Sequence, residues 1–307
     1  MSVRIGLSIP PFMTQGAAEF WRYVDYCEEA GVDSLWHYDR LISPEGSLEA
    51  IAVMAALAGR TRRLKFGMNA LSVTFRDPLV LAKECATIDF LSGGRLLPIF
   101  GVGTGGAAEW RGTGRDPSTR GRMANEFLDL FARLLREDDV SFAGEFFHYQ
   151  NVTLNPKPVQ QPLPLWTGGN SPAAIRRAAR FATGWQGEFA TPERAGAIVA
   201  AIKAELRVTG RTIPEDHYGI SLPFRFGGYG DEPVREFSGL IAGLGLADFD
   251  PRGSLAVGDA DDIAATVQRF VDNGIHKFVA IPMASSGEDA MAQIRMLCEQ
   301  VKPRVER

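Results

Sequence analysis

The chain has 307 residues, 45% hydrophobic and 23% charged, with a formal net charge of −4. That balance lacks the basic face a nucleic-acid partner requires, and no run approaches the ~18 apolar residues of a membrane span. The three cysteines, Cys27, Cys85 and Cys298, are far apart, which argues for buried thiols in a reducing cytoplasm and against a disulfide or metal site.

The N-terminal "VRIGLSIP" opens directly on a strand pattern, without the long apolar run and small-residue cleavage site of a signal peptide. Residues 17–31 follow as a predicted helix with Phe20, Val24 and Cys27 on one face and Gly31 as its terminator. Next come "SLWHYD" as strand two, a helix over 48–59, and "LKFGMNALSV" as strand three. A helix over 78–91 is capped by Asp77 and opened by Pro78. "RLLPIFGVG" reads as strand four, with a helix over 120–136. "PLWTGG" then precedes a helix over 171–182 that Ser171-Pro172 opens, and "GWQGEF" precedes one over 191–208 that opens with Thr191, Pro192 and Glu193. "YGISLPF" and "KFVAIPM" complete the strands, with helices over 261–273 and 286–301.

Strands alternating with helices predict a parallel sheet with right-handed crossovers. Eight such units in this length predict an α/β fold, a closed (β/α)8 TIM barrel. Two segments break the rhythm. Residues 138–164, after helix four, read as a small hairpin and a proline-rich crossing; residues 224–257, after strand seven, read as an insertion rich in Gly, Phe and Asp. No linker or low-complexity tract divides the chain, so one domain over 1–307 is expected.

The stretch "GVGTGGAAEW" places Gly101, Gly103 and Gly106 at the G-x-G-x-x-G spacing of a dinucleotide-binding turn. A Rossmann turn starts a helix directly at its glycines and belongs to the first βα unit. Here "EWRGTGRDPSTRGR" follows, whose glycines and proline predict no helix, and the unit is the fourth. In a barrel the same loop lies on the catalytic C-terminal face. Its glycines then let the backbone approach a flat ligand.

Three long stretches carry a resemblance over nearly the whole chain: "RDPLVLAKECATIDFLSGGRL" leading into "GVGTG", then "LNPKPVQQPLPLWTGGNSPAAIRRAARFATGW", then "KFVAIPM". The chain resembles the luciferase-like superfamily of flavin- and deazaflavin-dependent oxidoreductases, whose fold is a TIM barrel with an insertion. The resemblance implies hydride transfer between a non-covalent deazaflavin (coenzyme F420) and a small organic substrate. Alternatives are a reduced-FMN-dependent monooxygenase and, from another class, a non-catalytic flavin-binding relative. Relatives are often homodimers.

The "TGGNS" turn opens a helix, so the N–H groups of Gly168, Gly169, Asn170 and Ser171 can face an anion. A plain tight turn capped by Ser171 is the other reading; in the family this turn holds the cofactor phosphate. The family also implies an acidic residue beside the cofactor ring, here Asp39, and a cis peptide supporting the ring, here Asn69–Ala70. Gly103 and Thr104 of the glycine-rich loop are expected against the same cofactor. His37 and Tyr38 alternate on strand two, so one faces the interior; His37 is either a structural residue or a ligand contact.

Two departures count against a sugar-phosphate substrate. The deazaflavin-dependent sugar-phosphate dehydrogenases have a histidine after the strand-two aspartate and a glutamate in the glycine-rich loop; here those positions are Arg40 and Gly106. Glu109 is the nearest loop carboxylate, and it either contacts cofactor or pairs with Arg111. The cluster Arg111, Arg115, Arg120 and Arg122 is a solvated surface or a dock for an anionic cofactor tail. Trp110, Phe189, Phe224, Phe226 and Tyr229 either pack or line an apolar pocket.

Overall fold

The computed structural model describes residues 2–14, 16–43, 46–243 and 249–306. In chain order, β1 (Arg4–Ser8), α1 (Ala17–Glu29), β2 (Ser34–His37), α2 (Ala50–Arg60), β3 (Lys65–Met68), β4 (Leu71–Ser72) and α3 (Pro78–Ser92) form the first units. Then come β5 (Ile99–Gly101), α4 (Ala108–Thr113), α5 (Arg120–Arg136), β6 (Val140–Ala143), β7 (His148–Val152), β8 (Trp166–Gly168) and α6 (Pro172–Phe181). The rest comprises β9 (Gly184–Glu188), α7 (Pro192–Thr209), β10 (Tyr218–Phe226), α8 (Glu232–Gly243), α9 (Pro251–Ser254), β11 (Ala256–Gly258), α10 (Ala260–Asp272), β12 (Lys277–Pro282), α11 (Gly287–Met296) and α12 (Lys302–Val305).

The main sheet runs β3-β2-β1-β12-β10-β9-β8-β5-β4, every pair parallel. β3 and β4 are halves of one strand, separated at the cis peptide Asn69–Ala70. The lower half meets strand four through a parallel bridge between Phe66 and Leu96, and the upper half pairs Leu71 with Phe100. The ring therefore closes on strand three, giving the expected barrel.

Local chemistry explains most helix starts. Asp77 accepts from Leu79 N–H and Val80 N–H, Ser171 from Ala174 N–H and Thr191 from Arg194 N–H, each followed by proline at the helix start. Three segments differ from the sequence reading. The loop after strand four does contain a helix, α4, because six residues tolerate Gly112 and Gly114 ends it in the left-handed conformation (φ 66°). The insertion after strand seven is ordered as α8, α9 and β11, and β11 pairs with a β10 extended to Phe226; residues 244–248 lie outside the described residues. The last predicted helix stops at Met296 and passes through a π turn, Leu297–Val301, into α12. The expected hairpin is β6 and β7, antiparallel, with cis prolines after Asn155 and Gln161 in the crossing beyond it.

Inside the barrel, Trp36, Ile99, Trp166 and Val279 form a compact apolar cluster. Close packing there requires glycine: a Cβ on Gly67 would fall 1.9 Å from the Leu97 carbonyl and 2.7 Å from the Trp36 ring. At the opposite end from the catalytic face, buried Lys277 pairs with Asp33, which also receives Lys65 at 3.4 Å and the Ser34 hydroxyl at 2.9 Å. Burial works against the Asp33 carboxylate, but Lys277, Lys65 and Ser34 outweigh it and bring the group down to about 2.

Because the folded value is depressed below the ordinary 3.8, the Asp33 contribution is complete above about pH 4 and disappears as pH falls through 2. Removing the lysine while leaving the buried acid should cost ~3 kcal/mol. Lys277→Met is expected to lose that much in urea unfolding at pH 7, with a flatter stability curve between pH 4 and pH 2. Unchanged stability at pH 7 would show that this pair does not hold the barrel floor.

Candidate active site at the barrel mouth

Strand residues alternate between faces, so contacts made through the barrel interior identify the inward set. Asn69 Nδ2, from strand three, donates to Ser221 Oγ of β10 at 3.0 Å, a bond that can only cross the interior. Ser221 pairs in register with Glu188, and Gln186 Nε2 lies 3.5 Å from the same Oγ. Gln186 and Glu188 therefore face inward from β9. Gly168 pairs with Gln186, and a Cβ on Gly101 would lie 3.4 Å from the Ala70 methyl. Small residues at these C-terminal strand ends leave the mouth open between strands three and five.

Trp36 lies in the interior cluster, which puts Tyr38 on the inner face and His37 on the outer one. His37 Nε2 is 2.9 Å from the Leu48 carbonyl, so this nitrogen carries the proton; burial lowers its pKa and keeps the ring neutral at pH 7. Its Nδ1 is buried with no partner among the described residues. As a candidate for catalysis His37 is displaced by geometry, since the ring points toward α2 and away from the mouth.

Asp39 is buried, and its two oxygens accept from Ser72 N–H at 2.9 Å and Arg76 Nη2 at 2.6 Å. Arg76 also reaches Glu49 at 3.0 Å. The carboxylate thus ties the end of strand two to the end of strand three, beside the Asn69–Ala70 bond. Glu109 pairs with Arg40 Nε at 2.9 Å; of its two readings, the pairing with Arg111 does not form, because α4 turns Glu109 inward and Arg111 outward. Although burial opposes it, the Glu109 carboxyl is held below its ordinary value by its own backbone N–H and by Arg40. Its Oε2 has no partner among the described residues.

The TGGNS turn after β8 has a defined geometry. Gly169 has φ 99°, and Trp185 Nε1 donates to its carbonyl at 3.0 Å, anchoring the turn to β9. Ser171 Oγ caps Ala174 N–H at 3.2 Å. The N–H groups of Gly169, Asn170 and Ser171 have no acceptor among the described residues. In the neighbouring loop, Gly103 (φ 74°) packs against Phe75 and Trp110, and Thr104 accepts from the Trp110 indole at 2.7 Å.

The arginine cluster divides. Arg122 is neutralised by Glu145 at 2.9 Å and stacks over Phe146, so it drops out of any anion dock. Arg115 donates to the Thr74 carbonyl, and Arg120 to Pro117 O at 2.7 Å beside Gly105. Arg111, Arg115 and Arg120 have no acidic partner among the described residues. The aromatic residues also divide: Trp110 and Phe224 are buried, and Phe226 packs against the main core. Tyr229 packs beneath α8, leaving Phe189, 5.8 Å from Phe237 of α8, at the rim.

The inward polar residues Gln186, Glu188 and Ser221, and the ion-pairing Arg76, were missed in the sequence. A usable signal was present. A barrel strand buried on both faces should be almost wholly apolar, and "WQGE" places two polar residues at i and i+2.

Comparison with known proteins agrees with this architecture. The family model described as Luciferase-like monooxygenase matches residues 4–236. The F420-dependent glucose-6-phosphate dehydrogenase of Amycolatopsis mediterranei (strain U-32) is 34% identical over 179 residues, covering 55% of this chain and 53% of that protein. The chain spans 53% to 60% of the length of the first curated relatives it matches. An F420-dependent secondary alcohol dehydrogenase in complex with an F420-acetone adduct superposes with a TM-score of 0.84 at 19% identity, covering 100% of both chains. The oxygenating constituent of 3,6-diketocamphane monooxygenase from Pseudomonas putida, in complex with FMN, does so at 0.80 and 15% identity, covering 99% of each chain. The two structural likenesses establish the shared barrel. With its family match running from the first strand past the seventh, the chain belongs to the luciferase-like family of oxidoreductases.

Proposed function

We propose that the protein uses a non-covalently bound deazaflavin, coenzyme F420, to transfer hydride to or from a small organic substrate at the barrel mouth. The observation that carries this reading is the turn Gly169–Ser171. Its N–H groups, which have no acceptor among the described residues, stand at the start of α6, where the helix dipole favours an anion. The residues present fit the cofactor: an N–H cradle for its phosphate, and Ala70, Gly101 and Gly168 where a flat ring needs space.

The bound deazaflavin supplies the hydride chemistry. The chain's own residues supply orientation. Asp39, fixed by Ser72 and Arg76, holds the ends of strands two and three together beneath the ring position. The Arg40–Glu109 ion pair fastens the loop after strand four over strand two. Both Asp39 oxygens are engaged and Arg40 holds one oxygen of Glu109; with Arg40 and Gly106 where the sugar-phosphate dehydrogenases have their histidine and glutamate, this supports a substrate other than a sugar phosphate.

FMN shares the ring and phosphate, so the turn alone does not separate the two cofactors. Support for the deazaflavin comes from Arg111, Arg115 and Arg120, which lack acidic partners among the described residues and can meet its anionic oligoglutamate tail. The name of the 34% identical relative points the same way. The chain is expected to bind the deazaflavin more tightly than FMN at low salt, with the gap narrowing as ionic strength rises. Arg111→Ala with Arg120→Ala should reduce the preference several-fold. Fluorescence titration with both cofactors measures this, and equal or tighter FMN binding at low salt would move the assignment to an FMN-dependent monooxygenase.

The turn has its own test. A β-branched side chain at φ 99° is strongly disfavoured, and even a Cβ at Gly169 would approach the Ala174 methyl to 3.0 Å. Gly169→Val is therefore expected to weaken either cofactor at least ten-fold while circular dichroism shows the barrel intact. Unchanged affinity in a folded variant would remove the turn from the binding site.

A further inference from the structure

Among the described residues, Gln186 Oε1 and Asn69 Oδ1 are buried without a hydrogen-bond partner, the former facing Gly219 below the mouth. The amide nitrogens of both residues are directed at Ser221 Oγ. Two residues above Gln186 on the same inward face, Glu188 ends β9 in register with Ser221. Its side chain makes no hydrogen bond or ion pair with any described residue.

This acid stands apart from the others around the mouth. Asp39 has Arg76, Glu109 has Arg40, and Asp231 and Asp289 share Arg225. Glu188 is exposed at the rim, and desolvation by the surrounding barrel, with no counter-charge to offset it, pushes its carboxyl above the ordinary value. The next residue, Phe189, adopts a left-handed conformation (φ 49°) and turns toward Phe237, giving the carboxylate an apolar border.

Resting on the oxidoreductase reading of the mouth, we propose that Glu188 selects substrates that carry a cationic nitrogen, pairing its carboxylate with a protonated amine. A carboxylate turned into the mouth with no counter-charge among the described residues is met by water alone, and a bound ammonium supplies the missing partner. An ammonium brings three donors and no acceptor, which complements the acceptor-only carboxylate of Glu188. Phosphate- or carboxylate-bearing substrates meet repulsion at the same place. The substrate class is therefore an amine-bearing organic molecule with an apolar portion suited to the Phe189–Phe237 border.

The test uses three probes of one shape and different charge: benzylamine, benzyl alcohol and benzoate. Their affinities for the full chain are measured by ligand-observed NMR in the wild type and in Glu188→Gln, with thermal melting to confirm that the variant is folded. Benzylamine is expected to bind the wild type at least ten-fold more tightly than benzoate, and the ratio should collapse to about two-fold or less in Glu188→Gln. Benzoate binding as well as benzylamine in the wild type, or an unchanged ratio in the folded variant, would overturn the proposal. Deazaflavin titration of the wild type separates the two readings: if the cofactor does not bind, the oxidoreductase reading fails, while the amine-to-benzoate ratio still decides the role of Glu188.

Discussion

The bond from Asn69 Nδ2 to Ser221 Oγ crosses the barrel from strand three to β10 and fixes which residues of those strands face inward. Once that register is set, alternation leaves little freedom elsewhere. Ser221 carries Glu188 with it, Gln186 lies one layer below, and the small residues Ala70, Gly101 and Gly168 surround the remaining space. Below them Trp36, Ile99, Trp166 and Val279 fill the interior, and the Lys277–Asp33 pair seals the far end. The barrel is therefore a packed core with chemistry confined to one rim, as expected when strand interiors interdigitate in layers.

Charge is distributed on the same plan. Acids that hold backbone segments together have basic partners: Asp39 joins strands two and three through Arg76, and Glu109 joins the loop of strand four to Arg40. Other groups lack an opposite charge or an acceptor among the described residues: the N–H groups of Gly169–Ser171, the arginines 111, 115 and 120, and the Glu188 carboxylate. The cationic and N–H groups suit an anionic cofactor, and the carboxylate suits the substrate side. A site with both kinds of unpaired group in separate places can bind two partners of opposite charge without competition between them.

The barrel was legible in the sequence because its signals are local. Asp77, Ser171 and Thr191 announce their helices within three residues, and the strand–helix alternation needs no knowledge of contacts. The Arg40–Glu109 pair was not legible, because its partners are 69 residues apart and meet only when α4 folds back. Helix α4 itself was hidden by Gly112 and Gly114, which read as breakers until one proved tolerable and the other a terminator. His37 and Asp39 were visible as candidates by residue type, but only register shows that His37 faces outward and that both Asp39 oxygens are engaged. Glu188 needed the same register, and its polar alternation with Gln186 in a buried strand was the trace it left.

The most direct test of the central claim is a structure of the chain with bound deazaflavin. The account requires the phosphate within hydrogen-bond reach of the N–H groups of Gly169, Asn170 and Ser171. It also requires the ring in the space bounded by Ala70 and Gly101, with Glu188 facing the open substrate side. A phosphate held elsewhere, or a ring lying outside the mouth, would contradict it.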